Sequence, residues 1–178
     1  MKTKLLLAVL LLISNAFYAQ DTKGNKETKA EKALRFETEY RATEGMIDST
    51  SFVLRADYLS NHYGFRKIVE PTLNFIEVDS SQVIIQTGNN LGMGYNGVGG
   101  LTLRGKVVSW RVTKNDLSKS FMISMGISSS LGYYDVFMNV SADGRASARL
   151  SGTTRGDLIF ECFMGPLNEA RTYQGSAI

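Results

Sequence analysis

The sequence predicts a mainly β protein: one amino-terminal helix, then an antiparallel meander of about eight strands that closes as an up-and-down barrel. Three observations carry this reading. From Ser51 onward apolar residues recur at every second position, the period of a half-buried strand. Turn residues break that pattern at short intervals and leave no room for helical crossovers, so neighbouring strands must run antiparallel. The chain has 178 residues, 43% hydrophobic, with 17 Gly and only two Pro, enough for one core in a single domain. A two-layer sandwich is the alternative that pattern alone leaves open.

The first nineteen residues read as an address rather than as structure. Lys2 and Lys4 form a basic start, Leu5 to Ile13 an unbroken apolar run, and Ser14 to Ala19 a small and polar close. That is the layout of a secretory signal peptide. Cleavage fits best after Ala19, with a cut after Ala16 as the alternative. The run is about half of the ~20 residues that a spanning helix needs. No Cys follows it to carry a lipid. The expectation is therefore an exported mature chain, soluble in the periplasm or outside the cell, with no membrane span. Removing Lys2 and Lys4 leaves 18 basic against 17 acidic groups, a net of +1. No stretch clusters Lys and Arg alone, so no nucleic-acid partner is expected.

Residues 20–50 form the helical segment and 51–178 the barrel domain. Six basic and six acidic groups fall between Asp21 and Glu44, and neither Gly nor Pro occurs from Asn25 to Glu44. Ala33, Phe36, Tyr40, Thr43 and Ile47 recur at spacings of three and four, a narrow apolar stripe. Glu31 with Arg35 and Glu37 with Arg41 stand four apart, worth a few tenths of a kcal/mol per pair. A helix from about Lys26 to Glu44, laid on a sheet by one stripe, is expected, with Gly45 ending it.

In the first strand Phe52, Leu54, Ala56 and Tyr58 alternate with Val53, Arg55 and Asp57. Leu73 to Val78 and Gln82 to Thr87 make a hairpin about Asp79-Ser80-Ser81. Leu101, Leu103 and Val107 share a face with Trp110 and Val112 only if the register slips near Val107-Val108, which predicts a bulge beside Gly105. Phe121 to Ile127, Tyr134 to Val140, Ala146 to Leu150 and Leu158 to Met164 follow. Asp143-Gly144 marks a tight two-residue turn, and Gly165-Pro166 closes the last strand.

Little in this chain points to chemistry. One His and one Cys supply too few soft ligands for a structural zinc site, and one Cys rules out a disulfide framework. Gly92-Met93-Gly94-Tyr95-Asn96-Gly97 spells the dinucleotide fingerprint, but that chemistry needs a helix after it, and Gly99 to Val112 alternates as a strand. The cofactor reading is rejected. His62 sits in a polar turn without an evident Asp and Ser, which describes a surface residue. Asp57, Glu77, Asp135 and Glu161 alternate with apolar neighbours and face outward, with no spacing that selects an acid–base pair. Cys162 lies in an apolar strand, buried and inert. Phe52, Phe75, Phe121, Tyr134, Phe137 and Phe160, with Met122, Met125, Met138 and Met164, read first as core. Met also lines surfaces that accept varied apolar partners. No catalytic residue, metal or cofactor is assigned. The one candidate binding set is Leu91, Met93 and Tyr95, the large side chains of the glycine-rich loop from Gly88 to Gly99, able to fold over a ligand at a barrel mouth.

Pro71-Thr72-Leu73-Asn74-Phe75-Ile76-Glu77-Val78, Gln82 to Gln86, Asn96-Gly97-Val98-Gly99-Gly100-Leu101-Thr102, the late Gly165-Pro166 and the terminal Tyr173-Gln174-Gly175 carry a resemblance. Over roughly Phe36 to Ile178 the chain resembles the domain-of-unknown-function family 4251, exported proteins mainly of Bacteroidetes. The resemblance implies a lipocalin-like β fold with an amino-terminal helix, and a structural role for the Asn-Gly-Val-Gly-Gly loop on entry to the next strand. It implies no activity and no catalytic residues. The expected function is that of a non-enzymatic exported barrel binding a small apolar or amphipathic molecule, or a peptide, in the cell envelope. The alternative is an envelope structural or protein-interaction module whose barrel is solid.

Overall fold

The computed structural model describes residues 27–89, 96–152 and 157–177. The leader at residues 1–19 and the loop side chains Leu91, Met93 and Tyr95 lie outside the described residues. The chain divides into two compact units, Met1–Arg35 and Phe36–Ile178.

Helix α1 spans Lys29–Asp48. It opens on a capping box: Thr28 Oγ1 accepts from the Glu31 backbone N–H, and the Glu31 carboxylate accepts from both the N–H and the hydroxyl of Thr28. That bonding holds the Glu31 carboxyl below the usual carboxylate range. Arg35 pairs with Glu27, and Arg41 with Glu37 as the spacing predicts. The helix runs four residues past Glu44. Gly45 costs it about 1 kcal/mol relative to Ala, but Ile47, one turn after the buried Thr43, is fully buried and offsets that cost. Thr50, at φ 49°, ends the segment.

Nine strands follow: β1 (Ser51–Asn61), β2 (Arg66–Ile68), β3 (Phe75–Asp79), β4 (Gln82–Thr87), β5 (Leu101–Asn115), β6 (Ser120–Ser129), β7 (Gly132–Ser141), β8 (Arg145–Gly152) and β9 (Leu158–Pro166). Every pairing is antiparallel. Strands β1 and β3 to β9 pair in order, and β9 returns to β1 from Phe52↔Pro166 to Asn61↔Leu158. That last ladder closes the barrel and removes the sandwich alternative. Strand β2 is an extra edge strand paired only with the upper end of β1. The sequence misses it because three residues are too few to show a period.

Two register slips bend the wall. One lies between Val107 and Ser109, as expected beside Gly105. The other, between Ala56 and Tyr58, was not anticipated; it turns Leu59 rather than Tyr58 inward. The Ser141–Arg145 connection is one residue longer than a two-residue turn. Gly144 N–H donates to Ser141 O and Gly144 takes φ +80°, a three-residue loop with glycine in the left-handed position.

Strand alternation sends Phe52, Leu54, Phe121, Met125, Met138 and Phe160 into the interior, all 0–1% exposed. Phe137 and Met122 are corrections to the expected core. Their cross-strand partners Arg149 and Thr113 belong to the outward series, and both side chains stand on the outer wall. Phe75 is buried but belongs to the outward series, opposite Arg55 and Gln86. The barrel end where β1 begins is covered by the second half of α1. There Tyr40 stacks on Phe121 with ring centroids 5.3 Å apart, and Thr43 Oγ1 donates to Ala142 O at 3.1 Å. Lys114 is held by Glu44 and Asp48, which raises its ammonium pKa.

Candidate functional site

At the loop-bearing end of the barrel, opposite the helix, half-buried apolar side chains pack on the interior. Leu59, Tyr134, Leu150 and Leu158 pack on the core from above and are only half-buried. Register places all four inward. Leu59 faces Phe160, Leu158 faces Leu150, Leu150 faces Val136 and Tyr134 faces Ile127. Below them the large side chains of Phe52, Phe121, Phe160, Met125 and Met138 fill the barrel. These four side chains form an apolar ring, the cup, over a packed floor.

The described ends of the connection between β4 and β5, residues 88–89 and 96–100, are fixed by a buried polar network. Asn96 is 1% exposed. Its Oδ1 accepts from Val98 N–H and Gly100 N–H, and its Nδ2 donates to Thr87 O and Thr102 Oγ1. Gly97 and Gly99 stand at φ +74° and +80°, and a Cβ on Gly100 would overlap the Thr87 carbonyl. Gln86, fully buried on the outward face of β4, continues the network. It donates to Leu73 O and Tyr173 O and accepts from Thr102 Oγ1 and Gly175 N–H, at 2.8–3.1 Å. Asn74 Nδ2 donates to Glu70 O and Gly88 O, while its Oδ1 accepts from Gly88 N–H. The tail is thereby strapped across the outside of β3 to β5, where Gln174 also bonds Glu77 and Arg104. Sequence reasoning missed this network: it places Gln86 only within the hairpin strand Gln82 to Thr87, and the burial of Gln86 depends on the returning tail. The Asn-Gly-Val-Gly-Gly signal had pointed to its other half, the structured entry into β5.

The remaining candidates separate cleanly. His62 is exposed, its ring 3.7 Å from that of Tyr63. Strand β5, not a helix, follows the glycine fingerprint, so no helix N-terminus is available for a pyrophosphate. Among the described residues no group of three or more His, Cys, Asp or Glu could hold a metal ion. No described helix is long and apolar enough to cross a membrane. The strand carboxylates stand on the wall, and Glu161 forms an ion pair there with Arg66. Two open grooves of about 830 and 280 Å³ cross the outer wall. One lies over Tyr58, Arg145, Glu161 and Phe163, the other over Arg111, Met122, Phe137 and Arg149.

Cys162 points into the core, and burial pushes its thiol up to about 12 from 9.0. The thiolate required for reaction is therefore suppressed at neutral pH. The native protein should react with an aromatic disulfide reagent orders of magnitude more slowly than the protein in denaturant. Equal rates would place Cys162 in contact with solvent. The sign of the linkage adds a second readout. An unfolded thiol ionises from about pH 9, so the fold loses stability as pH rises from there towards about 12. Cys162→Ala should flatten that alkaline loss.

Comparison with known proteins agrees with the resemblance read from the motifs. The family described as Domain of unknown function (DUF4251) matches residues 35–161. No curated protein matches. Among solved structures, the chain is similar to a DUF4251 family protein from Bacteroides eggerthii at a TM-score of 0.63 and 21% sequence identity. The match covers 74% of this chain and 90% of that one. At that identity the likeness supports the fold alone. The closed eight-strand barrel, the glycine-loop motif and the span of the family match converge: the chain belongs to the DUF4251 family.

Proposed function

We propose that this chain is an exported, non-enzymatic barrel that holds a small amphipathic molecule, or one apolar side chain of a peptide, in the cup at its loop-bearing end. The observation that carries the reading is the inward ring of Leu59, Tyr134, Leu150 and Leu158, half-buried above a closed floor. Apolar side chains left partly wet inside a concave rim are what an apolar ligand group covers favourably. The packed floor limits the depth, so a head group would remain in water. By sequence, Leu91, Met93 and Tyr95 are assigned as the cover, and the leader as the route of export. A second reading, a solid-barrel interaction module of the cell envelope, is favoured by the same floor and by the open grooves of the wall.

The two readings are separated by titrating the chain from Gln20 onward with a fluorescent fatty acid. Saturable binding that Leu150→Glu weakens by about tenfold or more supports the cup. Absence of saturable binding, or binding that Leu150→Glu leaves intact, removes it and leaves the wall.

A further inference from the structure

The chain that follows β9 borders a hollow on the outer wall, away from the cup. Pro166 is the last residue of the β9–β1 ladder, opposite Phe52, and one turn of 3-10 helix, Leu167–Glu169, comes after it. That turn packs against β1 and β3. Farther along, Tyr173 N–H donates to Thr72 O at 2.9 Å. The segment from Asn168 to Arg171 is thus held at both ends, and between it and Arg55 of β1 lies an open hollow of about 600 Å³.

Arg55 belongs to the outward series of β1, opposite Phe75 and Phe163. It is half-buried, yet its guanidinium has no hydrogen bond or ion pair within the protein. No side-chain nitrogen or oxygen among the described residues is sealed from solvent without a partner, so these donors open into the hollow. Gly165 makes the space for them. A Cβ there would meet only the Arg55 guanidinium, at 3.6 Å. Arg171 lines the same hollow from the tail and is likewise unpaired.

The neighbouring carboxylates leave this pair of cations unmatched. Glu169 lines the hollow but forms an ion pair with neither guanidinium. Glu77, on the next outward row, accepts from Thr172 Oγ1 and Gln174 Nε2. Asp57 stands at the register slip of β1, exposed and without an ion pair to Arg55. Half-burial takes water from Arg55 and returns no partner, and a second guanidinium facing the same space adds repulsion. An oxyanion removes both costs, because a guanidinium fork matches a carboxylate or a phosphate. Apart from Pro166 and Ala170 the lining is polar, which suits a hydrophilic ligand rather than an acyl chain, and the volume admits more than the oxyanion itself. The Asn168 amide and the Glu169 carboxylate are placed to take hydroxyl groups.

We infer that Arg55 and Arg171 form a binding site for a small hydroxylated organic anion, whose phosphate or carboxylate group both guanidiniums hold. The site is separate from the cup and stands whether or not the cup is filled. In the test, the protein is titrated calorimetrically at fixed ionic strength with glycerol 3-phosphate and, separately, with glycerate. Arg55→Gln, Arg171→Gln and Glu169→Gln are compared with wild type. Arg111→Gln, an exposed and unpaired arginine on β5, is the control for general charge attraction. Melting temperatures check folding, and since Arg171 and Glu169 are exposed, their variants carry the test even if Arg55→Gln unfolds.

Expected is saturable binding of at least one anion, weakened about tenfold or more by Arg55→Gln and by Arg171→Gln. Glu169→Gln should tighten it about two- to threefold by removing a like charge, and Arg111→Gln should leave it unchanged. Binding of one probe alone assigns the site to phosphate or to carboxylate, and binding of both to either oxyanion. Absence of saturable binding by wild type overturns the inference. Loss confined to one of the two arginines overturns the shared site. Equal loss in Arg111→Gln overturns it too, because the attraction would then be general.

Discussion

Phe121→Ala is expected to destabilise the protein by about 3–5 kcal/mol, the range for truncating a buried aromatic side chain, and to lower Tm by roughly ten degrees. Phe121 is fully buried at the helix-bearing end, so its removal opens a cavity in the packed floor. It also removes the ring on which Tyr40 stacks, a contact worth about 0.5–1.5 kcal/mol beyond area. Lys119 lies 4.5 Å from the same Tyr40 ring, so α1 should loosen with the core. Thermal or urea denaturation measures the total, and hydrogen exchange in residues 40–48 reports the helix. A loss below about 1 kcal/mol would mean that the site collapses to fill the space, and that the floor is softer than its burial indicates.

Gln86→Leu is expected to cost about 2–4 kcal/mol although the volumes nearly match, because it strands several buried partners at once. Leu73 O and Tyr173 O each lose a donor, and Gly175 N–H loses its acceptor. Each buried group left unpaired costs about 1–3 kcal/mol where water cannot reach it. Water can reach it if the tail lifts, which bounds the total. A chain ending at Ala170 lacks Tyr173 to Gly175 and leaves Gln86 wet, so Gln86→Leu should cost far less in that shortened chain. Denaturation of wild type, each single change and the double change measures the coupling. Additive losses would show that the tail and Gln86 act separately, contrary to the bonds between them.

Local chemistry made much of the barrel legible. Alternation alone assigned the inward faces of β6 to β9, since Phe121 to Ile127 and Tyr134 to Val140 leave a two-residue period only one way to stand on a wall. The slip at Val107-Val108 was visible for the same reason: a bulge changes the parity of the apolar positions. The slip at Asp57 was not, because Val53 and Tyr58 blur that parity. Phe137 and Met122 show the limit of composition. They are apolar enough for a core, yet their place in the alternation puts them on the wall, and alternation prevails.

Of the candidate site, the sequence marked the loop-bearing end through its glycines and the Asn96 motif, but not the cup. Leu59 stands 91 and 99 residues from Leu150 and Leu158 along the chain, and only the β9–β1 ladder brings it into one ring with them. Residue type and period, which depend on near neighbours, thus determined the strands, the helix stripe and the inward faces. Closure, the burial of Gln86 by the returning tail and the meeting of Arg55 with Arg171 at one hollow were decided by tertiary structure. Each depends on contacts between segments far apart in sequence, whose free energy no local pattern encodes.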